Sequence, residues 1–153
     1  MGGCFVWSGA QNPARRLQCV VPAAIVEPRT ARILIVDDDE GVTQTFARML
    51  RLEGFQVRTA TSAETGLREA ELSHPDAIIL DLRMPLLDGV GFLRRLRASA
   101  DQRTTPVAIV TGDYFLDDTL SAELRELGAE LRFKPLWLED LVGLARNLTK
   151  VTN

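Results

Sequence analysis

Four points in the chain carry residues suited to chemistry, and each directly follows a short, mainly apolar run. Asp37, Asp38 and Asp39 follow Ile33-Leu34-Ile35-Val36, and Asp81 follows Ala77-Ile78-Ile79-Leu80. Thr111-Gly112 follows Val107-Ala108-Ile109-Val110, and Lys134-Pro135 follows Leu131-Arg132-Phe133. If the runs are strands of one parallel sheet, carboxylates, a hydroxyl and an ammonium converge on one edge. Crowded carboxylates repel at neutral pH, so such a cluster needs a cation. An all-oxygen site with room for water suits Mg²⁺. A metal beside one accessible carboxylate points to phosphoryl chemistry, with Asp as the nucleophile that forms an aspartyl-phosphate. The metal and a Lys neutralise the equatorial oxygens, and a Thr hydroxyl bonds one of them.

The elements that must position these groups follow from the hydrophobic periods. Arg32–Val36 is continuous, β-branched and bounded by charge, as a buried strand is. Val42, Phe46, Met49 and Leu50 share one helical face, which Gly54 terminates. Phe55–Thr59 alternates as a second strand. Thr61 with Glu64 forms a capping-box pattern opening a second helix. That helix stops before His74-Pro75, because the residue before Pro avoids the α region. Ala77–Leu80 is the third strand, and Phe92, Leu93 and Leu96 mark a third helix. The fourth strand is Val107–Val110, and Leu120, Leu124 and Leu127 mark the helix that Gly128 closes. Leu131–Phe133 is a short fifth strand, and Leu141, Leu144, Ala145 and Leu148 mark the last helix. Five βα units of this kind predict a doubly wound parallel sheet of five strands, covered by helices on both faces. Active sites in such folds lie at the carboxyl ends of the strands.

Composition narrows the function classes. The 153 residues are 46% hydrophobic and 25% charged, enough for one globular domain. The 18 basic and 21 acidic side chains leave a net charge of −3, which argues against a nucleic-acid binder. All the basic residues but Lys134 and Lys150 are Arg. Cys4 and Cys19 belong to no metal-ligand cluster, and His74 is the single histidine, so a zinc site or a histidine-dependent triad is disfavoured. No apolar run approaches the ~20 residues of a membrane span, and the cysteine-free core suits a reducing cytoplasm. Residues 1–31, with three prolines and no period, read as a flexible extension; Phe5, Val6 and Trp7 are its one candidate docking element.

The motifs together resemble the receiver domain of two-component response regulators. Ile33 to Asp39 looks like the family's opening strand with its acidic pair. Pro75 to Gly89 is similar to the phosphorylation-site motif almost position for position, and Val110-Thr111-Gly112 and Phe133-Lys134-Pro135 complete the set. The match spans about residues 32–149, with the receiver domain drawn at 32–150 and a tail at 151–153. The resemblance implies a flavodoxin-like (βα)5 fold. It implies Asp81 as phosphoacceptor, with Mg²⁺ held by Asp38, Asp81 and the backbone carbonyl of Arg83, and by Asp37 partly through water. Thr111 would bond the phosphoryl group, and Lys134 would contact it, held in place by a cis bond to Pro135. The donor would be a histidine kinase or histidine phosphotransfer protein, and the output an unidentified protein target. No direct nucleic-acid or membrane partner is implied, and homodimerisation is left open. The module would be a signalling acceptor and not an enzyme with turnover.

Departures from the family pattern set further expectations. The stretch from Gly128 to Lys134 is one residue short. Leu131 stands where the family has the rotating Tyr, Phe or His, so the change should propagate instead through residues 112–118, with Tyr114 and Phe115 moving. The chain stops after the fifth helix, as a stand-alone receiver would. Asp39 reads as a helix N-cap. Arg83 and Asp113 read either as an exposed pair or as groups flanking the phosphate. Arg94, Arg95 and Arg97 read as the wet face of the third helix. Tyr114, Phe115 and Trp137 read as partner surface or as core. Two other readings compete. A Mg²⁺-dependent aspartyl phosphohydrolase needs a second Asp two residues after the nucleophile, where Arg83 stands. A pseudo-receiver would keep the fold as a binding module without phosphorylation.

Overall fold

The computed structural model describes residues 30–150. All but the last two residues of the expected extension at 1–31, together with the tail at 151–153, lie outside the described residues. Five strands alternate with five helices: β1 Arg32–Val36, α1 Glu40–Leu52, β2 Gln56–Ala60, α2 Ala63–Ser73, β3 Ala77–Asp81, α3 Gly89–Ala98, β4 Val107–Thr111, α4 Asp118–Glu126, β5 Ala129–Phe133 and α5 Leu138–Lys150. The strands form one parallel sheet in the order β2-β1-β3-β4-β5. This is the doubly wound sheet the periodicity predicts.

Successive strand residues face opposite sides, so a continuous apolar strand builds two cores. Leu34, Val36, Ile78, Leu80 and Ile109 pack with residues of α2, α3 and α4, including Ala70, Phe92, Leu93 and Leu124. Ile33, Ile35, Ile79, Ala108 and Val110 pack with Phe46 and Leu50 of α1 and with Leu141, Leu144, Ala145 and Leu148 of α5. Side-chain caps fix where helices begin. Asp39 accepts from the Val42 amide at 3.2 Å, Asp88 from Gly91 at 2.9 Å and Asp117 from Leu120 at 2.7 Å.

Four local expectations need correction. The cap of α2 is Ser62, not Thr61: its hydroxyl accepts from the Thr65 amide at 3.1 Å, which leaves Glu64 one residue out of register for a capping box. β2 begins at Gln56, because the Phe55 amide turns back to the Leu50 carbonyl at 3.1 Å. β5 begins two residues early, at Ala129, where backbone pairing with Val107 recruits residues that hydrophobicity does not mark. Arg97 is not on the wet face of α3. It is half-buried, and its guanidinium donates to the carbonyls of Leu127 (2.8 Å), Gln102 (2.9 Å) and Thr105 (2.7 Å). These carbonyls lie in the turns before β4 and before β5, and one long cation donates to all three. Arg94 does lie outside, paired with Glu123 of α4. Among the described residues, no helix is long and apolar enough to cross a membrane.

Candidate metal centre

The parallel register brings the chemistry to one edge. Val36 pairs with Leu80 and Asp81 pairs with Val110, so the residues after β1, at the end of β3 and at the end of β4 share a rim. Carboxylate oxygens of Asp37, Asp38 and Asp81 all lie within 4.8 Å of one another. Asp37 and Asp81 are buried, 4% and 7% exposed, while Asp38 faces solvent. Asp39 is turned away as the α1 cap.

Lys134 reaches this cluster from the end of β5. Its ammonium donates to Asp37 Oδ2 at 2.9 Å and lies 3.5 Å from Asp81 Oδ1. The Lys134 amide donates to the Thr111 carbonyl at 2.8 Å, which ties the ends of β4 and β5 together. The Lys134–Pro135 peptide is cis. The other oxygen of Asp37 accepts from the Asp39 amide at 2.9 Å. Three negative charges against one positive leave two uncompensated, the charge of one divalent cation. The donors are all oxygen, the set that hard cations prefer. The residues therefore fit Mg²⁺.

Burial, the Asp37 charge and, more weakly, Asp38 push the Asp81 carboxyl up to about 6, against the opposing pull of Lys134. At pH 7 the carboxylate form of Asp81 still predominates. Burial works against the Lys134 charge, but the hydrogen bond to Asp37 and the charges of Asp81 and Asp37 outweigh it, so its pKa is raised.

Thr111 is fully buried, and its hydroxyl accepts from the Asp113 amide at 3.1 Å. Arg83 turns its side chain across the rim to Asp113, with Nε 3.2 Å from Oδ2. The other oxygen of Asp113 accepts from the Phe115 amide at 3.1 Å. These bonds to Arg83 and Phe115 hold the Asp113 carboxyl below the usual range. Leu131 is half-buried and packs onto the α2–α4 core together with Leu116, Leu120 and Leu127. Tyr114, Phe115 and Trp137 are surface and not core, 58%, 93% and 70% exposed. Tyr114 stacks on Phe133 with ring centroids 5.3 Å apart, and its hydroxyl donates to the Lys134 carbonyl.

Sequence reasoning missed the role of Gly89 as a spacer. A Cβ there would lie 2.7 Å from the Asp81 carbonyl oxygen and 2.9 Å from Leu82 Cα. The start of α3 therefore rests on the backbone that aims Asp81. A glycine gives no sequence signal of which backbone it touches.

A family model described as the response regulator receiver domain matches residues 33–144. The chain is 39% identical over 120 residues to the transcriptional regulatory protein PrrA of Mycobacterium tuberculosis, covering 78% of this chain and 50% of that protein. It is 34% identical over 124 residues to the response regulator MprA of Mycolicibacterium vanbaalenii, covering 79% and 51%. The chain thus spans about half the length of the curated relatives it matches. Among solved structures it is similar to the chemotaxis protein CheY4 of Vibrio cholerae, with a TM-score of 0.73 and 26% identity over 78% of this chain and 99% of that one. A response regulator receiver domain protein from Clostridium thermocellum gives a TM-score of 0.71 and 31% identity over 80% and 96%.

Proposed function

This chain belongs to the response regulator receiver family, and on that premise we propose that Asp81 accepts a phosphoryl group from a phosphohistidine in a Mg²⁺-dependent reaction. The donor is a sensor histidine kinase or a histidine phosphotransfer protein, and the modified domain acts by changing its protein-interaction face. The setting proposed is the cytoplasm. The observation that carries the reading is the position of the Asp81 carboxylate, within 4.8 Å of Asp37 and Asp38 and 3.5 Å from the Lys134 ammonium.

In the forward step an Asp81 oxygen attacks phosphorus and the P–N bond of the donor breaks, its electron pair returning to the imidazole nitrogen. Lys134 offsets charge on the transferring group, and the Thr111 hydroxyl turns to donate to one of its oxygens. Asp37, Asp38, Asp81 and the Arg83 carbonyl would hold Mg²⁺, which supplies charge neutralisation of the equatorial oxygens. Hydrolysis then returns the carboxylate and inorganic phosphate. Arg83 stands where an aspartyl phosphohydrolase needs its general acid, and a guanidinium does not release its proton near neutral pH. This supports a phosphoacceptor over an enzyme with turnover.

Acetyl phosphate with Mg²⁺ should add one phosphoryl group by intact mass, and Asp81→Asn should abolish it. Labelling that persists in Asp81→Asn, or none in the wild type, overturns the assignment.

A further inference from the structure

In the β4–β5 register Leu131 lies beside Ile109 and Phe133 beside Thr111. Leu131 is half-buried against the same core as Leu116, Leu120 and Leu127, so no ring stands at its place. The nearby ring is Tyr114, on the loop between β4 and α4, and it is held on the outside. It stacks on Phe133 and donates its hydroxyl to the Lys134 carbonyl. Asp113 anchors the start of the loop that carries Tyr114 through bonds to three groups. The Asp113 amide donates to the Thr111 hydroxyl, one carboxylate oxygen accepts from the Phe115 amide, and the other accepts from Arg83.

We propose that Asp113 is the node that couples the acceptor site to the Tyr114–Phe115 segment, with the Arg83 side chain as a latch that exchanges Asp113 for the phosphoryl group. The inference rests on the acceptor reading above and names how that site is read out. Both links into Asp113 begin at groups that a phosphoryl group engages. The Thr111 hydroxyl is drawn toward the new oxygens and tugs the Asp113 amide. Arg83 lies two residues beyond Asp81 and faces a choice of anion. Phosphorylation places a charge of about −2 at Asp81, against the single charge of Asp113. Guanidinium–phosphate pairs are also well matched in geometry. The Arg83–Asp113 pair is solvent-accessible, so breaking it costs little. Once Asp113 is released, the Phe115 amide loses its anchor, and Tyr114 leaves Phe133 and the Lys134 carbonyl. The exposed aromatic surface of Tyr114, Phe115 and Phe133 is thereby rearranged.

Phe133 reports the event from a strand remote in sequence from Asp113, because stacking with Tyr114 imposes a ring-current shift on its protons. In wild-type protein, beryllofluoride with Mg²⁺ should remove that shift. Asp113→Ala should remove it without beryllofluoride. Asp113→Asn keeps an acceptor for the Phe115 amide but loses the charge that holds Arg83, and should give an intermediate position. A Phe133 signal that stays at its wild-type position in Asp113→Ala and still responds in full to beryllofluoride overturns the relay. A ¹⁹F adduct in wild type with Phe133 unmoved also overturns the relay and leaves the acceptor reading standing. No ¹⁹F adduct in wild type removes both.

Discussion

Asp81 meets two opposed demands. As the proposed phosphoacceptor it must be ionised to attack phosphorus, yet it is 7% exposed and shares its site with two other carboxylates. The resulting pKa of about 6 lies above its value in an unfolded chain, about 3.9. Between those values the folded state binds more protons than the unfolded one, so metal-free stability falls as pH rises from about 4 to 6. Asp81→Asn should therefore be more stable than wild type at pH 7, by about 1–3 kcal/mol. The advantage should vanish near pH 4 and shrink in saturating Mg²⁺. Urea denaturation at a series of pH values checks this, and an unchanged gap at pH 4 contradicts it. Residue types made the candidates visible, since Asp37, Asp38, Asp81, Thr111 and Lys134 each end an apolar run. Which acid carries the raised pKa was not visible, because burial and the 2.9 Å bond from Lys134 to Asp37 arise between strands remote in sequence.

At the scale of elements, the start of α3 rests on the backbone of Asp81, the proposed acceptor. Its cap, Asp88, and the contact of Gly89 with the backbone of Asp81 and Leu82 are both set by the folded chain. Backbone cannot step aside as a flexible side chain does. Gly89→Ala should destabilise by about 1–3 kcal/mol, the usual range for overpacking. It should also slow labelling by acetyl phosphate, because Asp81 and Leu82 must shift. Gly66→Ala is the control. Its Cβ would meet Phe92 and Val36 side chains at 2.9 Å and none of the Asp81 backbone. It should lower the melting temperature without a matching loss of labelling rate in the folded protein. Equal labelling losses in both variants would show that instability alone explains Gly89. The same scale accounts for the misread boundaries. Thr61 and Ser62 are adjacent hydroxyl residues, and only the chain path decides which one meets the first turn of α2. β5 is an edge strand, half-exposed, and its length is set by pairing with β4 rather than by its own apolar pattern. Arg97 looks like its surface neighbours in sequence, yet it closes three carbonyls that only the folded turns bring together.

For the whole molecule, a ligand that binds only the folded state stabilises every element at once. Mg²⁺ at about 10–100 times its Kd should add about 1–3 kcal/mol. Asp38→Ala should remove most of the Mg²⁺-induced rise in melting temperature, and equal shifts in wild type and variant would exclude Asp38 as a ligand. The sequence by itself determined the alternation of five strands and five helices and the parallel sheet. It also determined the edge on which the acids, hydroxyl and ammonium fall. These follow from local period and strand direction, which are written in short stretches of chain. Tertiary structure alone decided that Lys134 bonds Asp37 and lies near Asp81, that Gly89 rests on the Asp81 backbone, and that Leu131 is packed while Tyr114 stacks outside on Phe133. Most of these join residues far apart in sequence, and their energies depend on burial and on distances of a few tenths of an ångström. Neither quantity exists until the two faces of the sheet are covered.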